Sequence, residues 1–510
     1  MNWSPEALSM IEAAPPAVRP MIRRKVESVA AERGLAAISG EFVTALMADR
    51  HGEKAQGGGE TRTELNLAPY FAREDGDPLT SAFEATNDVH VFADGRTLTL
   101  QQAGEAWLQA EQAEPTADRP RSLYIHIPFC RSRCVFCPFY ANRWSDEAGG
   151  EYARALVREI ERLAETPLGQ APLDAVYFGG GTPSDLAPED LSAVLDAIRD
   201  NLILAEDAEV TLEGRISGHE PDLTRAALDG GVDRFSVGVQ SFDTQFRRPL
   251  GRKASREEAL AFLNRLADTP AAVVIDLIFG LPGQSMEIWQ EDLRCLHEET
   301  SIHGVDLYRL KAVPGSVMEE MITEGRLPRR ADLAESAEMF AAGVETMDRF
   351  GWERLSIPHW RRDGRERSRY NTLVKSGADC IPIGCGAGGR VGRVRVFQTG
   401  DLEKYLAAVQ EGRKPVASAI QLSEHCDTVD RIAAELERGH LTPTGWAEAG
   451  SPLAAALAAV LAQWARAGLL SQAHGGYDLT LAGQFWSVQM GSRLARLVQP
   501  MREELGVAVR

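Results

Sequence analysis

The chain has 510 residues, 44% hydrophobic and 25% charged, with a formal net charge of −19 at neutral pH. That length predicts two to four globular domains, and the acidic balance excludes a general nucleic-acid binder, which carries a dominant basic footprint. No stretch reaches the apolar length of a membrane span, the opening M-N-W-S-P-E-A lacks a signal peptide's features, and seven cysteines, an odd number, give no disulfide framework, so a cytoplasmic protein is expected.

Residues 1–50 read as a small helical unit. Ser4 and Pro5 predict a helix start, Pro15 and Pro16 break it, Val18–Gly34 has amphipathic spacing, and Glu41–Arg50 predicts a third helix. The pattern W-S-P-E-A…V-R…R-R-K-V-E…I-S-x-E resembles the small helical domain at the C-terminus of light-independent protochlorophyllide reductase subunits; a plain helical appendage reads equally well. Residues 51–118 form a linker and pre-barrel segment, flexible by composition over His51–Thr63 and helical at Leu100–Glu111.

From Ser122 onward, short apolar runs alternate with amphipathic stretches. Strands are predicted at Leu123–Ile127, Ala175–Phe178, Glu209–Glu213, Arg234–Val239, Val273–Phe279 and Val305–Leu310. Helices are predicted between them, for example at Tyr152–Ala164, Pro188–Asn201 and Met286–Glu298. Repeated β-then-α units imply a parallel sheet. The expected class is α/β, a partial (βα)6 barrel over residues 119–350 with its chemistry at the C-terminal strand ends. A long helix is predicted at Ala331–Phe350, residues 351–415 complete the barrel or its substrate region, and residues 416–510 form a C-terminal helical domain, winged-helix-like, with a hairpin around Gly475-Gly476.

The densest chemical signal directly follows the first strand: Y-I-H-I-P-F-C-R-S-R-C-V-F-C, with Cys130, Cys134 and Cys137 in one run. Three thiolates can hold three irons of a four-iron cluster, leaving the fourth open, whereas electron-transfer clusters use four protein ligands. A zinc site or unrelated thiols is the plainer alternative, but zinc sites come as paired C-x2-C units or Cys/His mixtures, and no second pair is present. The run resembles the radical S-adenosylmethionine (SAM) superfamily, which implies a [4Fe-4S] cluster with SAM on the open iron. Phe178-Gly179-Gly180-Gly181-Thr182-Pro183, Glu213 in T-L-E-G-R, Gln240 in R-F-S-V-G-V-Q-S-F, Arg252, and Asp276 in I-D-L-I-F-G-L-P-G-Q resemble the coproporphyrinogen-dehydrogenase-like subfamily. The resemblance implies that Tyr124, Gly180 and Glu213 hold the SAM on the cluster, and that Phe136, Gly181, Thr182, Gln240, Arg252 and Asp276 hold a second SAM. On residues alone, Asp276 also reads as a structural hydrogen-bonding group, since a lone buried carboxylate needs a partner.

Cys137 is followed by Pro138-Phe139, so the further cysteine of coproporphyrinogen dehydrogenase is missing. The segments F-C-P-F-Y-A-N-R-W, P-H-W-R-R-D-G-R-E-R-S-R-Y-N, G-C-G-A-G-G and G-Q-F-W resemble the ChuW/HutW group of anaerobilin synthases, with Pro138 where a glycine is usual. That implies a radical SAM methyltransferase that opens haem anaerobically, releasing iron and a linear methylated tetrapyrrole, with reduced flavodoxin or a ferredoxin-type protein as electron donor. A haem chaperone of the HemW type, coproporphyrinogen dehydrogenation, and methyl transfer to another aromatic substrate are the alternatives. For haem itself, His359, Arg361 and Arg362 are the candidate contacts, with Arg365, Arg367 and Arg369 beside them, because guanidinium groups pair bidentately with carboxylates. A packed histidine and a solvated charged face are the plainer readings. His126 is expected to support the cysteine loop, and Cys295, Cys380, Cys385 and Cys426 to be buried structural thiols.

Overall fold

The structure, a computed structural model, describes residues 66–84, 95–116, 119–137, 142–217, 219–313 and 315–504, with scattered positions before residue 44. Most of the expected helices Val18–Gly34 and Glu41–Arg50, the linker His51–Thr63 and the Pro138-Phe139 continuation lie outside the described residues. Where the N-terminal unit is described, Asn2–Trp3 pairs in parallel with Ala37–Ile38, and Ala7, Val26, Ala30, Ile38 and Val43 form a small core of their own.

Six strands, β1 (Arg121–Ile127), β2 (Leu173–Gly180), β3 (Leu204–Arg215), β4 (Arg234–Gln240), β5 (Ala272–Phe279) and β6 (Gly304–Arg309), pair in parallel in chain order. The crossovers are α1 (Asp146–Ala164), α2 (Pro188–Asn201), α3 (Pro221–Asp229), α4 (Arg256–Ala267) and α5 (Met286–Glu299). Several start on side-chain caps. Ser145 accepts from the Ala148 N–H, Ser285 from Ile288, and Ser255 with Glu258 forms a reciprocal capping box, each contributing about 1 kcal/mol.

Alternation along the strands sorts the side chains. Leu123, Ile125, Val176, Phe178, Leu212, Val237, Ile275 and Leu307 belong to the core. The intervening residues face the other way, into the barrel, and register aligns them: Tyr124 with Tyr177, Gly238 with Asp276, and Asp276 with Asp306. Polar side chains are therefore concentrated on the concave side, which positions the site.

Beyond β6 the sheet grows at both edges. β7 (His359–Arg361) runs antiparallel to β6, and β8 (Asp379–Ile383) runs parallel to β1. β9 (Gly388–Val391), β10 (Val394–Gln398), β11 (Val416–Leu422) and Gly95–Thr97 then extend the β8 side as antiparallel strands, and Glu353–Arg354 pairs antiparallel with β7 at the other edge, for thirteen strands among the described residues. Residues 416–422, expected to open the helical region, are thus a sheet strand, paired antiparallel to β10 and to Gly95–Thr97. α6 (Leu333–Arg349) follows β6, and α7 (Arg369–Lys375) lies between β7 and β8.

The C-terminal region packs α8 (Cys426–Arg438), α9 (Pro452–Arg466) and α10 (Ser487–Glu504) around Trp446, Trp464 and Trp486. Leu470–Ala473 and Gly476–Leu479 form the hairpin, turned at Gly475 with φ +78°. The segment 66–84 straps this core: Gln463 exchanges hydrogen bonds with the Ala72 backbone at 2.9 and 2.7 Å, and the Trp464 and Trp486 indoles donate to the carbonyls of Tyr70 and Pro78 at 3.0 Å. No helix among the described residues is long and apolar enough to cross a membrane.

Candidate active site

The cysteine loop leaves the C-terminal end of β1. Cys130 and Cys134 are buried and Cys137 is half-buried. The loop is tied down from several sides. Val135 N–H donates to the Leu250 carbonyl at 3.1 Å and Trp144 N–H to the Cys130 carbonyl at 3.2 Å. Asp185 accepts from the Arg131 N–H at 2.7 Å, and Arg215 donates to the Ser132 carbonyl and hydroxyl at 2.7 and 3.0 Å. The Thr182 hydroxyl donates to Cys130 Sγ at 3.2 Å. Burial pushes the Cys130 thiol up, and the Thr182 hydrogen bond and Arg215 oppose that rise. Arg252, near Cys134 and Cys137, adds a second cation. Among the described residues no three of His, Cys, Asp and Glu converge where a single metal ion could sit. A cluster asks something else of the loop, one thiolate for each of three irons, and three thiols on one anchored loop with cations beside them fit that demand.

The glycine run ends β2 against this loop. Gly180 has φ +108°, and a Cβ there would lie 2.6 Å from the His126 ring; one on Gly181 would lie 2.3 Å from the Phe129 carbonyl. Only glycine lets the backbone pass so closely. His126, held neutral by burial with its pKa lowered to about 4, shares a 3.0 Å hydrogen bond with the Tyr124 hydroxyl. Tyr152 on α1 donates to the His126 carbonyl at 2.6 Å and accepts from the Cys385 N–H at 2.7 Å, which draws the G-C-G-A-G-G segment onto the end of β1.

The concave face divides into two groups. On β1–β3, Tyr177 donates to Glu213 Oε1 at 2.5 Å, and Glu213, raised by burial, also accepts from the Gly180 N–H. Tyr124 and Tyr177 stack, and Tyr370 of α7 lies on Tyr177 at 4.3 Å between centroids. On β4–β5, Gln240 takes φ +66°, a rare conformation for a residue with a Cβ. Among the described residues its buried Oε1 has no hydrogen-bond partner, nor has Arg252 Nε. A Cβ on Gly238 would meet Gln240 Nε2 at 2.8 Å and Arg252 Nη2 at 3.1 Å, so both heads close over that glycine. The Arg252 guanidinium lies over the Phe136 ring at 5.6 Å. Asp276 is held well above the carboxylate range by burial and then by the negative charges of Asp306 and Glu213.

The structure therefore gathers Tyr124, Gly180, Glu213, Gly181 and Thr182 beside the cysteine loop, and Phe136, Gln240, Arg252 and Asp276 around Gly238. Gly181 and Thr182, expected with the second SAM, stand beside the cysteine loop here, Thr182 bonded to Cys130. The segment 359–369 is placed differently. His359 is 2% exposed, with Nδ1 2.9 Å from Asp306 Oδ2 and Nε2 3.1 Å from Glu366 Oε1. These carboxylates, winning over burial, raise its pKa to about 9. Both ring nitrogens thus lie against carboxylates rather than facing open space. Arg361 forks onto Glu353, and Arg362 donates to the carbonyls of Leu296, His297 and Thr300. Arg365 pairs with Asp363, Arg367 with Asp233, and Arg369 with Asp174 and Asp207. Arg362, Arg367 and Arg369 staple the segment to the barrel, while Arg361 and Arg365 are taken up by Glu353 and Asp363. Cys295, Cys380, Cys385 and Cys426 are all buried. Sequence reasoning missed Tyr177, Asp306, Glu366 and Tyr370. The two-residue strand period would have found Tyr177 and Asp306, which stand in register with Tyr124 and Asp276.

Comparison with known proteins matches residues 124–296 to the Radical SAM superfamily and residues 3–46 to the Proto-chlorophyllide reductase 57 kD subunit family. The chain is 36% identical over 438 residues to anaerobilin synthase of Escherichia coli O157:H7, covering 85% of this chain and 96% of that one. The chain belongs to the anaerobilin synthase family of radical SAM enzymes. The family implies a [4Fe-4S] cluster and SAM, and the loop and glycine geometry above fits both. Heme chaperone HemW of Bacillus subtilis is 27% identical over 71% of this chain and 96% of its own length. Among solved structures, coproporphyrinogen III oxidase (HemN) from Escherichia coli superposes with a TM-score of 0.66 at 22% identity, over 78% of this chain and 93% of that one, a likeness of fold.

Proposed function

We propose that this protein opens the haem macrocycle without oxygen by SAM-dependent radical methyl transfer, releasing iron and a linear methylated tetrapyrrole. The observation that carries this reading is the likeness to anaerobilin synthase over 85% of this chain and 96% of that one. When bound, cluster and SAM supply a 5'-deoxyadenosyl radical, and a second SAM supplies the transferred carbon.

The chain's own residues bind and orient. Cys130, Cys134 and Cys137 hold the cluster, with Thr182 and Arg215 favouring the thiolate at Cys130. Tyr124, Gly180 and Glu213 receive the SAM beside it. Phe136, Gln240, Arg252 and Asp276 receive the second, whose polar groups would satisfy the unpartnered Gln240 Oε1 and Arg252 Nε. Asp276, whose carboxyl burial raises well above the usual range, stands with them. A reduced flavodoxin or ferredoxin-type donor supplies the electron.

The test is anaerobic incubation of reconstituted protein with haem, SAM and reductant, followed by absorbance and mass spectrometry. Loss of the Soret band with 5'-deoxyadenosine, S-adenosylhomocysteine and a methylated open-chain tetrapyrrole is expected. Haem that stays intact and bound would instead make the protein a carrier, as the HemW likeness allows.

A further inference from the structure

The one-turn helix Thr244–Arg247 and the turn after it close against the cysteine loop. The N–H groups of Leu250 and Arg252 donate to the Arg247 carbonyl at 3.2 Å, and the Leu250 carbonyl accepts from Val135 at 3.1 Å. The approach is tight: a Cβ on Gly251 would stand 3.2 Å from the Cys134 Cα and 2.9 Å from the Arg133 carbonyl. Arg248 on this turn is exposed, whereas Arg247 is 2% exposed.

Burying a guanidinium is costly unless something pairs with it. Arg234, buried as deeply, has Glu366 at 3.0 Å. Arg247 is placed differently: among the described residues its buried Nε and Nη1 have no hydrogen-bond partner. Asp292 acts on it electrostatically, but Asp292 Oδ1 is taken by the Ser241 hydroxyl and the Phe242 N–H, and burial lifts its carboxyl to about 7. Glu258 is held by the Ser255 cap. Burial and then the like charge of Arg252 draw Arg247 down to about 10, so it stays charged at neutral pH. The cavity beside it measures about 20 Å³, room for one water, and Arg215, Arg247, Arg252 and Lys253 line it with Ser132 and without an acid. Arg215 is bonded to Ser132, and Arg252 lies over Phe136. The remaining negative charge that acts on Arg247 is the Cys134 thiolate.

We propose that Arg247 is the buried counter-cation of the cluster on the cysteine loop, acting at Cys134 and favouring the cluster's reduced form. Reduction adds one electron, from a one-electron donor, to a group that three thiolates already make negative. A fixed cation in a low-dielectric pocket favours that added charge, and net charge and hydrogen bonds to sulfur are the levers that set a cluster's potential. Arg247 acts through the cluster and not on the substrate. The proposal rests on the cluster expected at Cys130, Cys134 and Cys137 and is independent of the haem reading.

The test is an anaerobic redox titration of the reconstituted full chain without SAM, read by the EPR signal of the reduced cluster. Wild type, Arg247→Met and the charge-conserving Arg247→Lys are compared at equal iron and sulfide content. Arg247→Met is expected to move the midpoint to more negative potential, lowering the reduced-to-oxidised ratio at a fixed potential by roughly tenfold, about 59 mV for one electron. Arg247→Lys is expected to stay closer to wild type. The cluster-free chains are compared in a denaturant titration, where Arg247→Met should be at least as stable as wild type, because an apolar side chain replaces a buried cation short of counter-charge. An unchanged midpoint in Arg247→Met overturns the assignment, as does an equal shift in Arg247→Lys. A cluster-free Arg247→Met less stable than wild type also overturns it, since the arginine would then serve packing. A stable Arg247→Met that no longer takes up the cluster supports it. If wild type takes up no four-iron cluster, the cluster reading itself fails; if it does and the midpoints agree, only the role of Arg247 is wrong.

Discussion

The two halves of the concave face are polar to a similar degree and are organised in opposite ways. Across β1–β3 the groups satisfy one another: Tyr177 with Glu213, Tyr124 with His126, Glu213 with the Gly180 N–H. Across β4–β5, Gln240 is strained, Gln240 Oε1 and Arg252 Nε lack partners, and Asp276 faces Asp306 with burial against its charge. Buried polar atoms left unpaired cost about 1–3 kcal/mol each, and strain that the surroundings hold in place concentrates at ligand sites. The difference teaches that the first half is a finished scaffold beside the cysteine loop, and the second is arranged for a polar guest.

The largest effects belong to the scaffold. Replacing Cys134 with Ala is expected to abolish the reconstituted cluster's visible absorption and all reductive SAM cleavage; a variant that keeps both would remove the loop from the site. Next is Glu366→Ala. Glu366 neutralises Arg234, with 2% and 0% side-chain exposure across the pair, and also holds His359. Removing it takes away the paired carboxylate of buried Arg234 and leaves His359 with Asp306 alone, which costs about 3–5 kcal/mol in a denaturant titration. The same network has a pH signature. The folded-state pKa of His359 is raised, so its stabilising pairing is complete below about 6.5 and fades as pH rises towards about 9. The stability gap between wild type and His359→Gln should therefore be widest near pH 6 and narrow through that window. A gap that widens with pH would show that His359 is buried neutral.

Much of this was legible because periodicity and local chemistry carry it. The six parallel strands follow from apolar runs separated by helical spacing. The cysteine and glycine segments are consecutive residues whose spacing is itself the information. What stayed hidden is long-range. Gln463 bonds to Ala72 across 391 positions, and no local pattern announces such a partner. The arginines of 361–369 show why charge alone misleads. Their role depends on Glu353, Asp233, Asp207 and Asp174, which the fold and not the sequence order brings near. Tyr370 reaches Tyr177 because α7 is laid against the barrel, a placement that no residue near it signals.

Two substitutions sharpen the contrast between the halves. Gln240→Gly removes the positive-φ strain and the unpaired carbonyl, so stability should hold or rise by about 1 kcal/mol while the apparent affinity for SAM falls. Lost stability with unchanged SAM affinity would mean that the Gln240 conformation serves packing alone.

Tyr177→Phe is the smallest change and tests the opposite half. It deletes one hydroxyl and leaves the stack with Tyr370 intact. Glu213 loses its 2.5 Å donor but keeps the Gly180 N–H. Because a buried acceptor is left short of one partner, the expected cost is about 1–2 kcal/mol in unfolding. The Glu213 carboxyl, deprived of a hydrogen bond that favours its charged form, should move further up from its already raised position. Infrared spectroscopy of the carboxylate band against pH reads that shift directly. If the band titrates as in wild type and stability is unchanged, the scaffold half is not held by its internal hydrogen bonds, and the division drawn between the two halves falls.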